Sequence, residues 1–168
     1  MTTKTELSRR ALLTAGVAGV AMSLFGRRSP ARASEGIFEI MLSDTEWQAR
    51  LTPMQFSVLR EEATERAFTS PLNDEKRKGM FHCAGCDLAV YSSETKFDSG
   101  TGWPSFWQAE EGAVGTKEDN SLFSRRTEVH CRRCGGHFGH IFDDGPPPTG
   151  MRHCINGVAL TFKPAEAA

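Results

Sequence analysis

The chain has 168 residues, with 20 Lys and Arg against 21 Asp and Glu, a formal net charge of −1 and five cysteines. That length suits one domain with a modest core. Setting aside the first 33 residues, which read as a leader, removes six of the basic residues and one of the acidic ones and leaves a net charge near −6. So acidic a domain lacks the clustered cations that a phosphate backbone demands, which argues against nucleic acid as a partner.

Lys4, Arg9 and Arg10 form a basic start, followed by the weakly apolar run Ala11 to Phe25, then Arg27, Arg28 and a small-residue Ala31-Arg32-Ala33 site. This is the layout of a cleavable export signal, and the apolar run is too short to span a membrane. Ser8-Arg9-Arg10-Ala11-Leu12-Leu13 resembles the twin-arginine signal that carries folded cargo across the bacterial inner membrane. The expectation is therefore a leader over 1–33, a single domain over 34–168 with its core at about 40–164, and a periplasmic location reached through the twin-arginine machinery.

Two helix starts follow. Ser43 with Glu46 is bracketed by Leu42 and Trp47, and Thr52 with Gln55 by Leu51 and Phe56, so each carries both a capping box and a hydrophobic staple. The spacing predicts a short first helix and a second from Pro53 to about Phe68, ended by Ser70-Pro71. From Gly79 onward, the short apolar runs LAVYSS, LFSRRTEVH, HFGHIF and INGVALTF, separated by turn formers, predict antiparallel strands. GAVGTKEDNS reads as a turn or loop, and the stretch from Asp143 to Gly150 as irregular.

Four cysteines form two C-x-x-C pairs, Cys83/Cys86 and Cys131/Cys134, separated by 44 residues. Two hairpin turns can bring four thiolates to one ion, which completes the tetrahedral shell of Zn²⁺ and leaves no position open for chemistry, so the metal is structural. A thioredoxin-like redox pair would open a helix in a parallel setting, whereas both pairs fall among predicted hairpins. His82 and His130, each beside a cysteine, could substitute as ligands, but with four thiolates available they read as bystanders. Folding before export would let the thiolates capture zinc while still reduced.

Cys154 stands alone in MRHCING. An isolated cysteine is often only a small buried hydrophobe. Here it follows a Pro/Gly-rich loop, and Arg152 and His153 beside it would favour the thiolate, the form that attacks. In a regular strand His137 and His140 point to opposite faces, and only a bend at Gly139 brings both to one pocket. Trp103-Pro104 reads either as core aromatics in a turn or as an aromatic wall suited to a thioether substrate.

FHCAGCDLAVYSSETKFDSGTGWPSFW, RTEVHCRRCGGHFGHIFDDGPPPTG and MRHCINGVALTF stand in the order of a known family, and the chain from about Ile40 to Pro164 resembles methionine sulfoxide reductase B. The resemblance implies a mainly β fold, two small antiparallel sheets packed as a β-tent with short N-terminal helices and a structural zinc site away from the cleft. It implies reduction of the R epimer of methionine sulfoxide, mainly in proteins. Cys154 matches the nucleophile that becomes a sulfenic acid, His140 the group that assists protonation, with His137 beside it. Asp144, Arg152 and Asn156 match polar residues that orient the site, and Trp103 the wall that receives the substrate methyl. Many members carry a resolving cysteine where this chain has Thr101. With the other cysteines committed to zinc, an external thioredoxin-like or small thiol is the expected reductant of a monomeric enzyme. The competing readings are a zinc-ribbon binding module without activity, which leaves Cys154 unexplained, and a Cys-His hydrolase, for which no acyl pocket or oxyanion hole can be read.

Overall fold

The computed structural model describes residues 37–121 and 125–166. The leader read over 1–33, and residues 122–124 of the LFSRRTEVH run, lie outside the described residues.

Two helices form where the capping signals place them. In α1 (Asp44–Arg50) the Ser43 amide donates to Glu46 at 2.8 Å, and in α2 (Pro53–Glu61) the Thr52 amide donates to Gln55 at 3.0 Å, with both boxes closed by the reciprocal side-chain bond. Helix α2 ends at Glu61 rather than near Phe68. Glu62 turns into the left-handed region (φ 58°) and the Ala63 amide donates to the Ser57 carbonyl at 3.0 Å, a closure typical of helix C-termini. The stretch beyond it is thereby released to run past the site.

Among the described residues nine strands follow, all paired antiparallel, in two sheets. The first strand β1 (Gly79–Cys83) sits between β2 (Ala89–Ser92) and β9 (Leu160–Pro164) in a three-stranded sheet. The remaining six are β3 (Lys96–Phe97), β4 (Ser105–Phe106), β5 (Val114–Asp119), β6 (Arg126–Cys131), β7 (His137–Phe142) and β8 (Arg152–Ile155), ordered β3-β4-β8-β7-β6-β5. The fold is thus mainly β, with two antiparallel sheets, the larger of six strands. Aromatic rings fill the space between them: Tyr91 stacks on Phe106 with centroids 4.4 Å apart, and Phe81 meets Phe106 edge-on at 5.0 Å. Trp47 of α1, also buried, packs beside the cysteine turns, while α2 lies against β7.

Two strand expectations need correction. GAVGTKEDNS is not a loop, because its residues 114–119 form edge strand β5. The apolar alternation that marks a strand is missing since Lys117 and Asp119 face their own ion partners, Glu128 and Arg126, across the β5–β6 ladder. INGVALTF is not one strand either. It breaks after Ile155 into a 3-10 turn over Gly157–Ala159 and resumes as β9, which carries the chain from the large sheet to the small one. The Glu65 carboxylate accepts from the amides of Gly157 and Val158 and so stabilises that crossing.

Candidate active site and metal centre

The two C-x-x-C turns have the same backbone wiring. The amide four residues on donates back to the first cysteine's carbonyl (Asp87 to Cys83 at 2.8 Å, Gly135 to Cys131 at 2.9 Å). Each first cysteine's own amide donates to the carbonyl five residues on, Leu88 or Gly136. The residue after each second cysteine takes a left-handed φ, 60° at Asp87 and 69° at Gly135. The turns bring all four sulfurs within 4.8 Å of one another, with Cys83–Cys134 at 3.7 Å and Cys86–Cys131 at 3.5 Å. A tetrahedral zinc with sulfurs at about 2.3 Å spaces them about 3.8 Å apart, so the set fits such an ion. Contact among the four sulfurs pushes the Cys83 and Cys134 thiols up and the Cys86 and Cys131 thiols down, and a cation held among them stabilises all four as thiolates.

Cys154 belongs to a cross-strand row. Ser105 of β4 pairs with Cys154, Cys154 with His140, His140 with Glu128, and Glu128 with Lys117, which places five side chains side by side on one face of the large sheet. Two residues along each strand, Arg152, Phe142, Arg126 and Asp119 share that face. Cys154, His140, Phe142, Arg126, Asn156 and Trp103 line a cavity of about 160 Å³.

The bend required to bring His137 and His140 together is present as a bulge. His130 pairs with His137 but Val129 pairs with Gly139, so Phe138 is the extra residue and a spacing of three acts like an even one. The two imidazoles lie 5.5 Å apart, edge to face. Gly139 is required at this point for space, because a Cβ there would stand 2.0 Å from the Cys154 carbonyl oxygen.

Each histidine is oriented by a carboxylate. His140 Nε2 lies 2.8 Å from Asp119 Oδ2, which also receives Arg126 at 2.6 Å. Hydrogen bonding from Ser121, then from His140 and Arg126, outweighs burial and holds the Asp119 carboxyl well below its usual range. An ionised carboxylate only accepts, so Nε2 carries the proton and Nδ1 of the neutral ring is free to accept one. Burial pushes the His140 imidazole down, against the pull of Asp119, which favours that neutral ring. His137, buried, sits behind it with Nδ1 2.7 Å from Glu128 Oε1, and Glu128 also meets Lys117 at 3.0 Å.

The other expected site residues divide between the cavity and its support. Trp103 is fixed by Nε1 donating to the Glu65 carbonyl at 3.1 Å. Asn156 has its amide engaged, donating to the Phe138 carbonyl and accepting from the Glu65 amide, both at 2.9 Å. Arg152 is clasped by Asp144 through two 2.8 Å bonds and lies 4.4 Å above the Phe142 ring. Burial pushes the Cys154 thiol up, against the pull of the Thr101 hydroxyl and the Arg152 charge. His153 does not help, contrary to expectation. Strand alternation turns it to the opposite face against Tyr91, its Nδ1 3.1 Å from the phenol, and burial pushes it down to about 4, so it is neutral near pH 7. Arg126, Asp119, Glu128 and Glu65 were not singled out from the sequence. For Arg126 and Glu128 a signal existed in RTEVH, where charges occupy one face of a predicted strand beside buried Val129.

A SelR domain model matches residues 51–164. The chain is 50% identical over 123 residues to "Peptide methionine sulfoxide reductase MsrB" of Agrobacterium fabrum, a match covering 73% of this chain and 91% of that protein. It is 53% identical over 124 residues to the protein of the same name from Pseudomonas putida strain W619, covering 73% and 93%. It is 50% identical over 137 residues to human "Methionine-R-sulfoxide reductase B2, mitochondrial", covering 76% and 75%.

Proposed function

The chain belongs to the peptide methionine sulfoxide reductase B family, and from that premise we propose that it reduces the R-sulfoxide of methionine, mainly within proteins, using Cys154 as nucleophile. The observation that carries this reading is the placement of the Cys154 thiol in a cavity walled by Trp103, with His140 directly opposite it across the β7–β8 ladder.

The thiol proton passes to Nδ1 of His140, the nitrogen left free by the bond to Asp119. The thiolate attacks the sulfoxide sulfur, and the proton returns from His140 to the sulfoxide oxygen. That oxygen leaves methionine for Cys154, so the substrate sulfur gains two electrons and the cysteine sulfur, now a sulfenic acid, loses two. Trp103 offers an apolar face to the substrate methyl, and the Arg152 charge favours the thiolate. Glu128 and His137 brace His140 from behind.

Two external thiols then return the sulfenic acid to the thiol, releasing water and forming their own disulfide. The support is Thr101 in the position of a resolving cysteine, together with the assignment of the other four cysteines to zinc. Zinc in this site would supply stability and no reaction step. Export to the periplasm by the twin-arginine route rests on Ser8 to Leu13. An Arg9→Lys/Arg10→Lys variant that is still exported would contradict it.

The test of the activity is turnover of each methionine sulfoxide epimer with dithiothreitol. The wild type should reduce the R epimer and Cys154→Ser should not; an active Cys154→Ser, or reduction of the S epimer alone, would overturn the proposal.

A further inference from the structure

The position that holds Thr101 carries chemistry of its own. Ser105 Oγ lies 2.8 Å from Ser99 Oγ, Ser99 Oγ lies 2.8 Å from Thr101 Oγ1, and Thr101 Oγ1 lies 3.9 Å from Cys154 Sγ, within the longer reach of a bond to sulfur. The far end of the chain is anchored: Ser105 is fully buried, pairs with Cys154 across the β4–β8 ladder, and has the Trp103 carbonyl 3.2 Å from its hydroxyl. Gly100 and Gly102, at φ 69° and 90°, form the turn that presents Thr101 to the thiol.

We infer that Thr101 is a catalytic residue whose hydroxyl, at the end of a Ser105–Ser99–Thr101 relay, donates to the Cys154 thiolate and so favours the attacking form. This rests on Cys154 being the nucleophile. Each hydroxyl has one proton to give, so the chain has a direction. With Cys154 as a thiol, Ser105 donates to the Trp103 carbonyl, Ser99 to Ser105 and Thr101 to Ser99. When the thiol ionises, all three protons turn toward the sulfur: Ser105 donates to Ser99, Ser99 to Thr101, and Thr101 to the thiolate. The Ser105 and Ser99 oxygens keep their places, the 3.9 Å Thr101–Cys154 contact shortens, and a bond to a charged acceptor replaces a neutral one, which is the stronger kind.

The relay answers a particular difficulty. Cys154 is half-buried, and burial opposes its ionisation. The charged and titratable groups around it are Arg152 on its own strand, with Asp144 beyond, Arg126 on β6 and His140 on β7. Thr101 reaches the thiol from the loop between β3 and β4, so its donor can be removed without altering any of those charges.

The test uses the zinc-loaded full chain. The rate of Cys154 alkylation by iodoacetamide is followed against pH by peptide mass spectrometry, beside kcat and KM for the sulfoxide, in wild type, Thr101→Val, Thr101→Ser and Ser99→Ala. Losing one charge-assisted hydrogen bond should raise the thiol midpoint by about one unit in Thr101→Val and slow alkylation near pH 7 about tenfold. The loss in turnover should fall on kcat rather than KM, Thr101→Ser should recover most of it, and Ser99→Ala should show a smaller shift of the same sign. A Thr101→Val midpoint equal to wild type, or a Thr101→Ser as impaired as the valine variant, would overturn the inference. Alkylation needs no sulfoxide, so a normal midpoint shift in a protein that reduces no sulfoxide would count against the activity and not against the relay.

Discussion

Glu128→Gln probes the support behind His140. The carboxylate lies in the cross-strand row, 3% exposed, with His137 Nδ1 at 2.7 Å, Lys117 Nζ at 3.0 Å and His130 Nδ1 at 3.8 Å. Burial pushes its carboxyl up, but the His130 and His137 imidazoles and the Lys117 ammonium beside it outweigh that and hold it well below the usual range. Glutamine keeps the shape and can still accept from His137. It loses the charge, and one end of the amide then turns an N–H₂ toward Lys117. Lys117, partly exposed, keeps Glu62 at 2.7 Å, so its charge is not stranded. The cost is therefore below the ~3–5 kcal/mol of a broken buried pair and is set at about 2 kcal/mol, the scale of a charge-assisted hydrogen bond. For a domain of this size that lowers Tm by about 6–10 °C near neutral pH. The difference should shrink as pH falls. A depressed carboxyl contributes stability above its unfolded pKa, near 4.5, and loses it as pH drops through the folded value, a loss the glutamine variant does not share. Thermal unfolding of zinc-loaded protein from pH 7 down to pH 3 measures this. Equal Tm at pH 7, or a gap that widens in acid, would show that the Glu128 charge does not stabilise the fold.

Removing the metal with a strong chelator should abolish near-ultraviolet circular dichroism and activity together, since the four sulfurs join turns from both sheets; metal-free protein that keeps both signals would count against a structural ion. Burial gives His153 a folded pKa of about 4, below the 6.5 of a free imidazole, so the unfolded chain takes the proton first and stability falls as pH drops from 6.5 to 4. That loss is at most about 3 kcal/mol and should be missing from His153→Phe, as read by urea unfolding between pH 6.5 and 4.5; parallel pH profiles would contradict it. In Gly139→Ala the new methyl meets the Cys154 carbonyl oxygen at 2.0 Å and must force β7 from β8. A loss of about 3 kcal/mol and a collapse of kcat are expected, and an alanine variant of wild-type Tm would show that the ladder yields easily.

What the sequence disclosed of this molecule was local. Both capping boxes span four residues, so Ser43–Glu46 and Thr52–Gln55 could be read directly, and the cysteine pairs betray a metal by spacing alone. The end of α2 was hidden because a non-glycine residue, Glu62, supplies the left-handed turn. The strand β5 was hidden because its charges are satisfied by β6, a partner ten or so positions away whose register no periodicity reports. The same holds for the site. Cys154 and His140 stood out by type, but their facing across a ladder depends on the Phe138 bulge, and the carboxylates that orient the histidines come from β5 and β6. His153 misled because adjacency in sequence is opposition across a strand.

The division of the cysteines into four that hold a metal and one that reacts is tested most directly by a single turnover. Zinc-loaded protein is given one equivalent of methionine R-sulfoxide without reductant, treated with a sulfenic-acid trap and measured by intact and peptide mass spectrometry. One trapped sulfenic acid at Cys154 is expected, with the metal retained and Cys83, Cys86, Cys131 and Cys134 unmodified. A disulfide joining Cys154 to any of those four, with release of the metal, would contradict it.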